Sequence, residues 1–109
     1  MSESAKRIDA IIREELAPLL REAGFKKKAR NFHREHADRV DVINVQASRY
    51  NDASSAKFTV NVGVYYPAIA EMADALPVKG APKEYDCTVH SRIGALREDR
   101  RDFWWTIGV

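Results

Sequence analysis

Histidine, cysteine, arginine and carboxamide side chains recur at short spacings along this chain, and the spacing limits the chemistry they can do. Cys87 and His90 lie three apart, as do His33 and His36. On a helix such pairs would face one side and could hold a metal ion or form a thiol–imidazole dyad. Both fall in stretches that read as strands, where residues three apart point to opposite faces. Neither pair closes on one centre without a bulge or turn. Asp86 and His90 share a strand face, but four strand residues separate them by roughly 13 Å. The chain has no CxxC or HExxH, and its five glycines form neither GxGxxG nor GxxxxGK[ST]. The expectation is no metal site, no cofactor and no catalytic set. Cys87 then reads as a small buried hydrophobe.

A second constellation is better placed. Asn44, Gln46 and Ser48 alternate along one stretch, and Thr59, Asn61 and Tyr65 along another. Thr88, His90 and Arg92 fit the same face of a third strand, and Trp104 that of a fourth. If the registers align these rows, one sheet face carries amide, imidazole, guanidinium and aromatic groups. Asn44, Gln46, Asn61, Tyr65, His90, Arg92 and Trp104 are therefore the candidate ligand- or partner-binding residues. The competing reading is the ordinary wet face of a one-sided sheet.

The elements that must position these residues follow from periodicity. Ile8, Ile11, Ile12, Leu16, Leu19, Leu20 and Ala23 repeat at three-and-four spacing and predict an amphipathic helix over 3–23. Ser2 or Ser4 caps its start, Pro18 kinks it, and Gly24 ends it, with Phe25 folding back on the last turn. Asn31–His36 and Arg39–Arg49 read as a hairpin turning at Ala37-Asp38. Residues 50–55 read as a polar loop, and Ala56–Tyr66 as the strongest strand, with Phe58, Val60, Val62 and Val64 alternating. Those four residues are the expected seat of the helix. Pro67, Ile69, Met72, Ala73 and Leu76 predict a short second helix, and residues 77–84 a loop. Tyr85–Arg92 and Asp102–Val109 read as the last strands. The fold class is α+β, in the order α-β-β-β-α-β-β, with both helices on one face of a mainly antiparallel sheet of about five strands.

At 109 residues the chain fits one domain, 1–109. Eighteen basic and 16 acidic residues leave a net charge of +2, too little to imply nucleic acid by itself. The local exception, Lys26, Lys27, Lys28, Arg30 and Arg34, reads as a solvated connection. A single cysteine, no signal-like start and no membrane-length apolar run predict a cytoplasmic protein.

Segments in order along nearly the whole chain resemble the family called domain of unknown function 4304. They are residues 19–28 (LLREAGFKKK), 31–34 (NFHR), 42–50 (VINVQASRY), 58–65 (FTVNVGVY), 85–87 (YDC), 92–94 (RIG) and the Trp104-Trp105 pair. The resemblance implies a small, mainly bacterial α+β protein, with no activity, cofactor or residue role to carry over. Members of that family often continue past the tryptophan pair, so the resemblance leaves open whether the natural chain continues past Val109. The leading expectation is a noncatalytic binding or interaction domain, with a protein partner or a second copy bound. An enzyme using His90 and Arg92 on a small polar substrate, and nucleic-acid binding through Lys26–Arg34, are the alternatives.

Overall fold

A computed structural model describes residues 3–49, 51, 55–73, 78 and 80–108. Its elements are α1 (Glu3–Ile11), a π-helical turn (Ile12–Leu16), α2 (Ala17–Glu22), β1 (Lys26–Lys28), β2 (Asn31–Glu35), β3 (Val40–Ala47), β4 (Ser55–Tyr65), α3 (Pro67–Met72), β5 (Val89–Arg92) and β6 (Trp105–Gly108). Two 3-10 turns, Glu84–Asp86 and Ile93–Leu96, flank β5. This is an α+β fold with the expected N-terminal helix, antiparallel sheet and short second helix. Ser2, Leu76, Val109 and most of the 50–55 loop lie outside the described residues.

The helix shows how Pro18 is accommodated. Proline has no N–H for the Glu14 carbonyl, so the strict α pattern cannot continue through it. The chain inserts one wide turn instead, and the Ala17 N–H reaches the Ile12 carbonyl. The buried face therefore steps from Ile8 to Ile12 and then five residues to Ala17. That extra residue rotates Leu19 out to 65% exposure, where unbroken periodicity puts it on the core face. The end follows expectation. Gly24 takes φ 94°, its N–H bonds Arg21 O, and the Phe25 N–H bonds Leu20 O at 2.8 Å. Phe25 is buried.

The sheet runs β1-β2-β3-β4-β5, all antiparallel, and β6 also pairs with β4. The β2–β3 hairpin turns where expected, with the His36 N–H on Arg39 O. Lys26–Lys28, read as a connection, is instead an edge strand, turned back on β2 through Ala29 at φ 55°.

The helical layer buries Ile8, Ile12 and Ala17 against Phe25, Phe32, Val45 and Ala56, with Ala47, Phe58 and Ile107 at the margin. Each large aliphatic contributes about 1.5–3 kcal/mol. Cover does not extend along the whole expected row. Val62 and Val64 instead line an apolar groove of about 290 Å3 with Phe25, Ile43, Val89 and Leu96. Nor does α3 bury any of its residues.

Two arginines tie the helices to the sheet. Arg30 Nε donates to Asp9 Oδ1 at 2.8 Å. Arg34 donates to Asp41 Oδ2 and, through Nη1, to the Ala23 carbonyl at the helix end, while lying over the Phe25 ring. Burial pushes the Asp41 carboxyl up, but hydrogen bonds and charge from His36 and Arg34 outweigh this and hold it below its ordinary value.

Candidate binding cleft

Antiparallel pairing places directly opposite residues on one face. Asn31 faces Asn44, Asn44 faces Asn61, and Asn61 faces Arg92. One row thus crosses four strands on the sheet face opposite the helices. The carboxamides bond in sequence. Asn44 Nδ2 donates to Asn31 Oδ1 at 2.9 Å, and Asn61 Nδ2 donates to Asn44 Oδ1 at 3.0 Å and to Gln46 Oε1 at 2.9 Å. Asn61 is buried and satisfied, so the row is rigid as well as polar.

The fourth side of the row comes from an interrupted edge. β5 pairs with Asn61–Val64, and β6 with Ser55–Phe58, in the same direction along β4. Residues 93–104 leave the edge between them and return. The Thr59 hydroxyl stitches this gap, donating to Phe103 O at 2.6 Å. Gly94 lets the excursion close on itself, because a Cβ there would come within 2.4 Å of Arg101 O. The excursion delivers Asp102 and Trp104 beside Arg92. Asp102 Oδ2 accepts from Arg92 Nη1 at 2.7 Å and from Trp104 Nε1 at 3.1 Å, and the guanidinium lies 5.2 Å from the Trp104 ring centre. The Trp104 hydrogen bond, followed by Arg92, holds the Asp102 carboxyl below its ordinary value.

Together these groups border a cleft of about 600 Å3, lined by Gln46, Ser48, Arg49, Lys57, Arg92 and Trp104. The cleft is rich in donors. Gln46 spends its oxygen on Asn61, and among the described residues nothing accepts from its Nε2. The Lys57 ammonium has no ion-pair partner among the described residues. Arg92 spends one nitrogen on Asp102.

The other half of the same face is closed. Residues 81–87 cross it, burying Val42, Pro82 and Cys87. Cys87 Sγ would lie 2.7 Å from a Cβ at Gly63, so glycine is what admits the cover. Alternation predicts a strand from Tyr85, but the segment to Cys87 is a 3-10 turn. Lys83 N–H bonds Asp86 Oδ2 at 2.8 Å, and this local bond competes with ladder pairing. Burial, then the charges of Glu84 and Asp86, push the Cys87 thiol from 9.0 up to about 11.

The candidate residues therefore divide. Asn44, Gln46, Asn61, Arg92 and Trp104 come together at the open half. Tyr65 pairs with Val40 at the far end of β4. His90 sits opposite Gly63, with Nδ1 3.5 Å from Glu84, beside the covering segment 81–87 and outside the cleft lining. His90 and Arg92 thus share a face, but the covering segment lies against the first while the second borders the open cleft. Along the basic stretch, Arg30 and Arg34 are held by Asp9 and Asp41, while β1 alternates its three lysines between faces.

Sequence reasoning missed Asn31, Lys57 and Asp102. Lys57 was legible, since it continues the alternation of Thr59 and Asn61. Asn31 needed the hairpin register, and Asp102 gave no signal beyond standing two residues before Trp104.

A family model described as Domain of unknown function (DUF4304) matches residues 16–108, nearly the whole fold from the π-helical turn onward. Nothing among curated proteins or solved structures matches the chain.

Proposed function

The chain belongs to the DUF4304 family, whose description assigns no activity, and from its own geometry we propose that it is a noncatalytic binding domain of a small bacterial protein acting in the cytoplasm. The open half of the polar sheet face is its binding surface. One observation carries this reading: a hydrogen-bonded carboxamide row, locked in place across the sheet, ends in a cleft whose Gln46, Lys57 and Arg92 keep unspent donors. Preorganised polar groups of this kind lose little entropy when a partner docks. A solvated sheet face has no comparable reason to be so constrained. The setting in bacteria is supported by the family resemblance, and the reducing compartment by the lone thiol at Cys87.

The test is differential capture. The whole chain, immobilised, is presented to a bacterial cytosolic extract beside an Arg92→Ala/Trp104→Ala variant. The reading expects a partner retained by the first and lost by the second. Recovery of no partner, or equal recovery by both, contradicts it.

A further inference from the structure

The chemistry around the cleft narrows what it can hold. Resting on the binding reading above, we propose that the cleft is an oxyanion site, taking a carboxylate or phosphate group of its ligand between Lys57, Gln46 and Arg92.

Three features argue for this. First, the amide polarity is set from within the sheet. Asn61 donates both to Asn44 and to Gln46, so Gln46 turns its oxygen inward and leaves its NH2 as the group with protons to give. Second, the charges are unbalanced. Lys57 and Arg92 line the cleft, and among the described residues one carboxylate, Asp102, stands beside them. Lys57 pairs with no described acid, although its backbone is fixed on both sides by Asn51, whose side chain bonds Lys57 N at 2.7 Å and Lys57 O at 3.1 Å. Third, Arg92 is oriented before any ligand arrives. Asp102 holds Nη1 and the Trp104 ring lies beside the guanidinium, so its remaining N–H groups are presented in a fixed plane. A ligand carboxylate or phosphate supplies the acceptors that these donors lack, in charge-assisted bonds.

Anisotropy of fluorescein-labelled hexaglutamate, read at low ionic strength with the whole chain, tests the site. Inorganic phosphate as competitor separates a phosphate site from a carboxylate site, and a labelled neutral Gly-Ser hexapeptide gives the uncharged reference. Gln46→Glu is the critical variant. Its carboxylate still accepts from Asn61, so the carboxamide row survives, while the donor is replaced by a negative charge. Lys57→Glu, on an exposed side chain, is the second variant, and Lys27→Glu on the edge strand is the control for nonspecific cationic attraction.

The expected result is saturable binding of hexaglutamate, or of phosphate seen through competition, weakened at least tenfold by Q46E and by K57E and less than twofold by K27E. Binding should weaken as salt rises, though less steeply than a purely screened surface contact. Anion binding unchanged in Q46E and K57E, or lost in K27E, overturns the site. Binding of the neutral peptide alone, abolished in R92A/W104A, overturns the oxyanion inference but leaves the binding reading standing. Binding of no probe overturns the inference, and the fate of the binding reading is then decided by the capture experiment.

Discussion

At Gly63 the polar face of β4 lies under Cys87, while two residues earlier, at Asn61, the same face borders an open cleft. Both positions point the same way from one strand. Their neighbours across β3 differ in kind: Val42 opposite Gly63, and Asn44 opposite Asn61. The covered half uses small and apolar residues so that residues 81–87 can lie flat on it. The open half uses carboxamides, which would be costly to bury under an apolar strap without partners. The contrast shows that side-chain alternation fixes only which face a residue takes. What covers that face depends on a segment about twenty residues further along the chain.

Perturbing each half separately should give opposite profiles. Gly63→Val gives the largest expected effect, because the new side chain must enter space held by Cys87 Sγ and Cβ. A loss of about 3 kcal/mol in urea unfolding is expected. A change below about 0.5 kcal/mol would mean that the strap does not press on β4. Asn61→Ala comes next. It removes two donors and strands the Asn44 and Gln46 oxygens, at about 2 kcal/mol. Its urea curve should shift accordingly, and the anion affinity should fall with it.

A pH-dependent effect concerns the thiol. The Cys87 pKa is raised on folding, so its contribution to stability is full below pH 9.0 and is lost as pH rises towards about 11. Unfolding free energy of the native chain should therefore fall over that range more steeply than that of Cys87→Ala, by up to about 1.4 kcal/mol per pH unit. Identical slopes would contradict a sealed thiol. The smallest stability effect belongs to the open half. Arg92→Ala removes a solvent-exposed ion pair and should leave the urea midpoint near its native value while altering binding. A large stability loss would make the Arg92–Asp102–Trp104 cluster part of the scaffold.

Much of this architecture was legible in local pattern. The Gly24-Phe25 helix stop, the β2–β3 turn and the long alternation of β4 depend on neighbours in sequence, and periodicity and turn chemistry read such neighbours well. Three features did not submit to that reasoning. Leu19 is exposed because the wide turn before Pro18 shifts the helical phase, and a periodicity count assumes constant phase. Lys26–Lys28 pairs as a strand despite carrying three like charges, since β2 supplies a ladder that composition does not show. His90 joined the candidate site by strand parity and does share the face of Arg92, yet it sits beside Gly63, Cys87 and Glu84 under the strap and does not line the cleft. The core of the candidate site, Asn44, Gln46, Asn61, Arg92 and Trp104, was found by alternation alone. The Asn31–Asn44–Asn61 hydrogen bonds and the role of Asp102 required register.

The most direct measurement of the central contrast is a two-dimensional 15N–1H spectrum of the labelled chain titrated with hexaglutamate. The Gln46 and Asn61 side-chain amides and the Trp104 indole N–H should move progressively and saturate together, while the backbone amides of Gly63 and Cys87 stay in place. Shifts centred on Gly63 and Cys87, or on Lys26–Lys28, with the Gln46 and Trp104 signals unmoved, would contradict the account.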